Sequence, residues 1–241
     1  MKIKRIVSLF LVLVLALSAV AVLGSCKKEE KKTDNITVQI GPNPETLDPA
    51  LNSAVDGGNM LITLFETLLI IDQDNKVQPG QAEKYTVSDD GLTWTFTMRD
   101  GLKWSNGDEL TAKDFEWSWR RAADPKTAAD YSYLCAVFAG YDDTKGLAAD
   151  DVVASDDGKT LTVKLKAVTP YFLDLCAFPF FFPVNQKSVE GNDDWANDAS
   201  DKFVTNGAFT LKEWKHDSSM TYVKNPNYWD CLLYTSPSPR D

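Results

Sequence analysis

Residues 85–124 combine strand, turn and helix signals, and they restrict the possible folds more than any other part of the chain. Residues 93–99 alternate between small polar and large apolar side chains, so that Trp94, Phe96 and Met98 share one face. A period of two with one apolar face is typical of a half-buried strand. Asp-Asp-Gly before this segment and Ser-Asn-Gly-Asp after it are turn-forming sequences. We therefore predict a strand between two turns.

A helix is predicted to follow, beginning next to Thr111. Thr111 stands at an N-cap position, and Asp114 three residues later makes a near capping box that lacks the preferred Glu or Gln. Phe115 and Trp119 then recur at helical spacing. Two consecutive arginines lie in the last turn, where the helix dipole favours cations.

The turn-and-strand pattern occurs a second time. Residues 88–95 and 155–162 both begin with Ser-Asp-Asp-Gly and continue into an alternating segment. Two copies 67 residues apart are too few and too widely spaced for a solenoid. We predict two similar hairpins in one antiparallel sheet.

Local patterns predict three further elements. Residues 35–41 have the composition of a strand, and a helix is expected to begin at Gly57 and to continue through Leu69. The sequence Pro-Phe-Phe-Phe-Pro at residues 179–183 is the densest aromatic cluster in the chain. We interpret it as a buried strand, with a carbohydrate-stacking platform as the alternative.

Cys135 and Cys176 are the cysteines that lie away from the two ends of the chain. A disulfide between them is possible in an exported protein. Both have apolar neighbours in the sequence, which favours two buried free thiols instead.

The N-terminus has the features of an export signal. Residues 1–25 have a basic start, and an apolar run at residues 6–23 ends in Leu-Gly-Ser before Cys26. This pattern predicts a lipoprotein signal peptide, with Cys26 as the lipid-modified first residue of the mature chain. An uncleaved membrane helix is the alternative, since the run is just long enough to span. Residues 26–35 are strongly polar and are expected to form a tether.

Charge and catalytic residues argue against two broad classes of function. The net charge is −10, and removal of residues 1–25 makes it three units more negative, whereas a nucleic-acid-binding protein needs a basic face. His216 is the only histidine and lies in a polar segment that resembles a hairpin tip. The acidic pairs in the two turns suit turn formation better than glycoside hydrolysis, which needs two facing carboxyl groups. We expect neither nucleic-acid binding nor enzymatic activity.

A series of ordered motifs resembles the bacterial extracellular solute-binding proteins of family 5, the oligopeptide- and dipeptide-binding proteins of ABC transporters. The central block matches in four pieces with consistent spacing, namely Ser-Asp-Asp-Gly at 88–91, Thr-Trp-Thr-Phe at 93–96, Arg-Asp-Gly-Leu-Lys-Trp-Ser-Asn-Gly at 99–107 and Thr-Ala-Lys-Asp-Phe at 111–115. The resemblance extends over about residues 36–230. Other matching pieces are Thr-Leu-Asp-Pro at 46–49, Leu-Phe-Glu-Thr-Leu at 64–68, Pro-Gly-Gln-Ala-Glu at 79–83, Thr-Asn-Gly-Ala-Phe at 205–209 and Asn-Pro-Asn-Tyr-Trp at 225–229.

The resemblance implies an α/β, periplasmic-binding-protein-like fold of two lobes, of type II. Residues 36–65 and 186–230 would form part of the first lobe, and residues 66–185 would form an inserted domain. We expect a mixed sheet in the first lobe and an antiparallel sheet in the inserted domain. Because relatives are roughly twice as long, the chain would hold only the first lobe and its insertion, and would not bind peptide measurably by itself.

The resemblance also implies a ligand site and partners. The loop after Leu-Asp-Pro corresponds to Asn52, Ser53, Ala54 and Val55, and a tyrosine after the Asp-Pro-Lys-Thr turn corresponds to Tyr131. These residues are expected to hold the backbone of a short peptide, without cofactor or metal. The implied partners are a permease and an ATPase, and the protein would be a monomer, lipid-anchored outside the cytoplasmic membrane through Cys26. Alternatives are a nickel chelate, haem or sugar as ligand, or, from another class, an exported glycosidase or a structural lipoprotein.

The family pattern stops after residue 230. Residues 231–241 show no periodicity and contain two Ser-Pro pairs. We expect this segment to lie outside the family fold, either as an artefact of gene assembly or as a natural disordered tail.

Overall fold

The computed structural model describes residues 36–39 and 41–230. The chain divides into two compact units, one ending at residue 39 and the other beginning at residue 40. In the first unit, residues 36–39 are exposed and have no regular secondary structure. The strand predicted at residues 35–41 is therefore wrong for these four positions, because no strand ladder of the described residues supplies a hydrogen-bonded partner. The predictions for residues 1–25, Cys26 and residues 231–241 concern positions outside the described residues.

The second unit contains four α-helices among its described residues. They are Val55–Leu64 (α1), Ala112–Ala123 (α2), Phe172–Leu175 (α3) and Gln186–Val189 (α4). Three 3₁₀ helices lie at Pro125–Thr127, Ser132–Val137 and Pro179–Phe181. Across the part of the chain that the structure describes, no helix reaches the length and apolarity of a membrane span.

The strands of this unit pair only in antiparallel fashion. They are Leu69–Ile71 (β1), Val77–Pro79 (β2), Ala82–Val87 (β3), Thr93–Met98 (β4), Val152–Ala154 (β5), Thr160–Lys164 (β6), Phe209–Lys215 (β7) and Ser219–Lys224 (β8). They form two hairpins, β1–β2 and β7–β8, and one four-stranded sheet of order β3-β4-β6-β5. The predicted antiparallel sheet is confirmed. The mixed sheet expected in the first lobe is not seen in the described residues, because β7 and β8 pair only with each other there.

The two Ser-Asp-Asp-Gly segments form two nearly identical turns. In each turn the serine hydroxyl contacts the second aspartate and accepts a bond from a backbone amide five residues later, in one case Thr93 and in the other Thr160. The glycines adopt a positive φ, 72° at Gly91 and 70° at Gly158. The strands that follow, β4 and β6, lie side by side with Phe96 opposite Leu161. The predicted pair of hairpins in one sheet is confirmed.

Helix α2 begins with the predicted capping box. The Thr111 hydroxyl accepts a bond from the Lys113 amide at 3.3 Å, and the Asp114 carboxylate accepts one from the Thr111 amide at 2.8 Å. Asp114 thus replaces the usual Glu or Gln, as the sequence indicated. The apolar face of α2 packs against the four-stranded sheet, and the Trp119 indole donates to the Phe181 carbonyl at 2.9 Å.

Helix α1 is shorter than the sequence predicts. It ends at Leu64 and not at Leu69, which instead begins β1. The Leu64 carbonyl accepts a bond from the Gly207 amide at 2.8 Å, and the Asn206 side chain takes the Glu66 amide at 3.0 Å. These distant residues satisfy the backbone groups that a longer helix would have paired internally.

The aromatic cluster at residues 179–183 is buried, but it is not a strand. Pro179–Phe181 forms a 3₁₀ turn, and Phe180 and Phe181 are 2% and 1% exposed. Pro179 has no amide proton for a sheet ladder and suits the first position of a helical turn. The prediction of burial is confirmed, and the prediction of strand is wrong.

Both central cysteines are buried and unbridged. Cys135 and Cys176 are free thiols, at 0% and 1% exposure. Burial raises the pKa of the Cys135 thiol to about 12, so almost none of it is in the reactive thiolate form at neutral pH. The interpretation as two buried free thiols is confirmed.

Residues 209–224 form the hairpin expected around the histidine. His216 lies in the turn between β7 and β8 and stacks on Trp214 with ring centres 4.4 Å apart. The Trp214 indole donates to Asn43 at 2.7 Å. The histidine therefore packs at a hairpin tip, as the sequence suggested. The division of the chain at residues 65/66 and 185/186 stays a prediction.

Gly158→Ala is expected to destabilise the fold more than Gly101→Ala. Both glycines have a positive φ, of 70° and 74°, so each substitution strains the backbone by about 1–2 kcal/mol. A Cβ at position 158 would also lie 2.9 Å from the Thr111 Cβ, whereas one at position 101 would meet nothing within 4 Å. The crowding at the start of α2 should add about 1–3 kcal/mol, measured by urea unfolding of both variants. Equal losses would show that the cap of α2 yields to the added methyl group.

Candidate functional site

One cavity in the second unit brings together all five residues that the sequence assigned to ligand binding. It has a volume of about 500 Å³ and lies between the start of α1, the segment around β1 and the segment 177–182. Asn52, Ser53, Ala54, Val55 and Tyr131 all line it. Val55 and Tyr131 are 76 positions apart in the sequence, and the fold brings them to the same cavity.

A buried carboxylate supports the loop that forms one wall of the cavity. Asp48 is 2% exposed, and its side chain accepts a bond from the Ala50 amide at 3.0 Å. The Arg121 guanidinium at the end of α2 binds both Asp48 oxygens, at 3.1 and 2.5 Å. The Trp195 indole adds a bond at 3.2 Å. A two-point bond between guanidinium and carboxylate fixes direction as well as distance, so α2 orients the loop.

A glycine at the start of α1 is required by the position of Asn52. The Asn52 side chain donates to the Ala54 carbonyl at 3.0 Å and crosses the first turn of the helix. A Cβ on Gly57 would lie 2.0 Å from the Asn52 Oδ1 atom. A residue with a Cβ at position 57 would therefore require the Asn52 side-chain amide to move.

Tyr131 lies beside the loop on the lining of the cavity. Its hydroxyl is 3.5 Å from the Ser53 carbonyl, at the outer limit of a hydrogen bond. Its ring packs edge-on against Phe178, with ring centres 5.7 Å apart. The preceding turn is fixed by Asp124, whose carboxylate accepts a bond from the Lys126 amide at 2.9 Å. The hydroxyl is thus directed at the loop and weakly engaged by it.

The floor of the cavity is aromatic, which sequence reasoning did not predict. Phe65, Phe178, Phe180 and Phe182 line it, and Phe65 and Phe182 pack together with ring centres 5.9 Å apart. Phe178 is the exposed member of the group, with 38% of its surface accessible to solvent. The dense aromatic run at residues 179–183 was the signal in the sequence. It pointed to burial and, in its less favoured interpretation, to a platform for a ligand.

Glu66 is the only carboxylic acid among the residues that line this cavity, and it is buried. Its Oε1 atom accepts bonds from the Gln81 amide at 2.9 Å and the Trp229 indole at 2.6 Å. Its Oε2 atom accepts a short bond from the Tyr228 hydroxyl. Burial raises the pKa of the Glu66 carboxyl, although the three donors and the charge of Arg99 oppose the shift.

The backbone of Glu66 is held as firmly as its side chain. Asn206 accepts a bond from the Glu66 amide at 3.0 Å and donates to the Glu66 carbonyl at 2.8 Å. The Arg99 guanidinium lies 3.8 Å from the centre of the Trp229 ring and covers the cluster. Four of the sequence motifs quoted above, those containing Glu66, Gln81, Asn206 and Trp229, therefore meet at one buried point beside the cavity.

The arrangement suits binding. The described residues include no cluster of three or more histidine, cysteine or acidic side chains able to hold a metal ion. The cavity offers the backbone and amide groups of the loop, a tyrosine hydroxyl beside them and an apolar floor. Sites for organic ligands commonly have this composition, a mainly apolar lining with a few directed polar groups.

Comparison with known proteins decides the family. A family model described as "Bacterial extracellular solute-binding proteins, family 5 Middle" matches residues 76–237, more than half of the chain. The chain belongs to this family. The resemblance inferred from the motifs is confirmed, and members of the family are substrate-binding proteins.

Two curated relatives and one solved structure show how far the similarity extends. The chain is 41% identical to the oligopeptide-binding protein OppA of Bacillus subtilis (strain 168), over 93% of this chain and 43% of that protein. It is 41% identical to the dipeptide-binding protein DppE of the same strain, over 78% of this chain and 35% of that protein. Listeria monocytogenes OppA bound to peptide matches with a TM-score of 0.74 and 37% identity, over 79% of this chain and 38% of that one.

The structural match confirms the predicted fold class, a mixed helix-and-sheet part of a two-lobed binding protein. The chain spans about two fifths of the length of the relatives it matches. The family motifs at residues 64–68, 79–83, 205–209 and 225–229 supply the buried Glu66 cluster, while the loop at residues 52–55 lines the cavity.

Replacement of Glu66 tests this cluster. Glu66→Ala leaves three buried donors without an acceptor and should lower the free energy of unfolding by about 3–5 kcal/mol. Glu66→Gln retains one acceptor oxygen and can donate to the Tyr228 oxygen, so it should cost about 1 kcal/mol. Urea unfolding measures both, with Glu83→Gln at an exposed position as the control.

The same variants test the ionisation of Glu66. Its usual pKa is 4.5, and the folded protein has a higher one, so the folded state holds the proton more tightly than the unfolded state. The free energy of unfolding should therefore fall as pH rises from 4.5 to the folded pKa, and this fall should be absent from Glu66→Gln. An identical pH dependence in the two proteins would contradict the assignment.

Proposed function

We propose that the full-length protein captures short peptides outside the cytoplasmic membrane and delivers them to an ABC permease that is driven by an ATPase. The observation that carries the proposal is the convergence of Asn52, Ser53, Ala54, Val55 and Tyr131 on one cavity. The printed names of the relatives support it, since they are oligopeptide- and dipeptide-binding proteins, and one solved structure is described as bound to peptide.

The geometry suits recognition of a peptide main chain. An extended peptide presents amide and carbonyl groups at regular spacing, and a receptor loop of extended backbone can pair with them. The loop at residues 52–55 can act in this way, since Ala54 is in an extended conformation at φ −95° and ψ 142°. Its small neutral side chains make contact with the peptide main chain less dependent on peptide sequence.

Tyr131 supplies a directed bond next to this loop. Its ring is held by Phe178, while its hydroxyl contacts the Ser53 carbonyl only at 3.5 Å. A ligand carbonyl can take this hydroxyl at small energetic loss, because the existing bond is long. Closure of a second lobe over the ligand would complete the site by a hinge movement.

The remaining parts of the proposal concern organisation and location. We place residues 36–65 and 186–230 in the first lobe and residues 66–185 in an inserted domain. Cys26 carries the lipid that holds the protein at the outer face of the cytoplasmic membrane. The protein acts as a monomer and carries out no hydrolysis. Cleavage before Cys26 leaves residues 26–35 as a tether that gives the lobes freedom to turn.

Tyr131→Ala in the full-length protein is expected to weaken peptide binding by about 1–2 kcal/mol, through loss of one hydrogen bond and of ring packing. Isothermal titration calorimetry with short peptides measures the change. Tyr171→Ala is the matched control, because Tyr171 is 55% exposed and lies outside the cavity lining. Unchanged affinity in Tyr131→Ala would remove this tyrosine from the site.

Cys26 is expected to carry acyl chains at the mature N-terminus. Mass spectrometry of the protein from membranes should show a chain that begins at Cys26 with two or three fatty acids. Each buried methylene contributes about 0.8 kcal/mol, so two chains anchor the protein firmly. Cys26→Ser should lose the added mass and leave the membrane fraction, while an intact Met1 or an unmodified Cys26 would refute the proposal.

A further inference from the structure

The lining of the cavity is strongly biased towards apolar side chains below its polar rim. Eleven of its eighteen lining residues are Ala, Val, Ile, Phe or Pro, and neither lysine, arginine, histidine nor aspartate is among them. Ile62 on α1, Ile70 on β1 and the phenylalanines Phe178 and Phe180 are among the eleven. A ligand group that enters this cavity leaves water and becomes surrounded mainly by hydrocarbon side chains.

The single acid of the lining is not available to a ligand. The two oxygens of Glu66 accept three hydrogen bonds, from Gln81, Trp229 and Tyr228, and the Glu66 side chain is itself buried. A cationic ligand group would have to displace one of these donors and leave it without its acceptor, which is unfavourable. The neighbouring Thr67 hydroxyl is likewise engaged by the Leu69 carbonyl.

We propose that this cavity selects one large apolar side chain, aliphatic or aromatic, of the bound peptide and discriminates against lysine, arginine, aspartate and glutamate at that position. The inference rests on the proposed function and adds the substrate class that the site prefers. It follows from the apolar floor together with the saturation of Glu66.

The cost and gain of burial favour selection by the polarity of the peptide side chain and not by its size. Burial of a leucine or phenylalanine side chain removes its apolar surface from water and favours binding, whereas a charged group without a partner there loses its hydration. The volume of about 500 Å³ lies within the range of sites for drug-sized ligands, so shape excludes no natural side chain. Leucine, phenylalanine and tryptophan should therefore bind with similar affinity, about 10- to 100-fold above lysine and glutamate.

The test uses the full-length protein and synthetic alanine peptides of three, four and five residues. Each position in turn carries leucine, phenylalanine, lysine or glutamate, and calorimetry gives each affinity. At one position, leucine and phenylalanine should exceed both charged residues by at least 10-fold. Equal affinities for all four residues at every position would overturn the inference and leave the proposed function intact. Failure of every peptide to bind would overturn both.

Charge substitutions at the rim assign the preference to this cavity. Ile62 is 62% exposed, so Ile62→Glu and Ile62→Lys should fold normally. Ile62→Glu should reduce the preference for leucine over lysine at the selected position by at least 10-fold, and Ile62→Lys should do the same for leucine over glutamate. Val168→Glu and Val168→Lys are the matched controls, because Val168 is 65% exposed and lies outside the lining. A leucine preference that both Ile62 variants leave unchanged would place the selection elsewhere and overturn the inference.

Discussion

The carboxylate of Glu66 is the point on which the architecture beside the cavity depends. A buried acid is tolerated only where its oxygens find donors, and here the three donors come from two distant segments of the chain. Asn206 fixes the backbone of the same residue and thereby ends α1 at Leu64. The hydrogen bonds that Glu66 requires therefore set the length of α1, the start of β1 and one side of the cavity.

A second buried acid, Asp48, has a comparable role for the loop that bears Asn52. Its partner Arg121 lies at the end of α2, the helix whose start is fixed by the capping box and by the hairpin turn at Gly158. The sheet, the helix and the loop that bears Asn52 are thus connected one to the next by hydrogen bonds and not only by apolar contact. Such directed bonds hold polar groups of a binding site in position before a ligand arrives.

Interactions between residues that are close in the sequence made part of this fold predictable. The alternation in β4, the cap at Thr111 and the repeated Ser-Asp-Asp-Gly turns each depend on residues within a few positions of one another. The errors have a common origin in distant contacts. Nothing near Leu64 in the sequence signals that the distant Gly207 amide will donate to the Leu64 carbonyl. The aromatic run at residues 179–183 likewise predicts burial but not the backbone conformation. The residues proposed for the rim of the candidate site were chosen from the family resemblance, whereas the aromatic floor could be recognised only in the folded structure.

The reach of the Glu66 bonds has a consequence for synthesis of the protein. The Trp229 indole that binds Glu66 is 163 positions further along the chain. At translation rates of roughly 5–20 residues per second, the two groups are made roughly 10–30 s apart. Throughout this interval the carboxylate has to remain hydrated, and the segment around it cannot settle into its final place. The wall of the cavity therefore belongs to the late stages of folding, although its loop and first helix are among the earliest residues made.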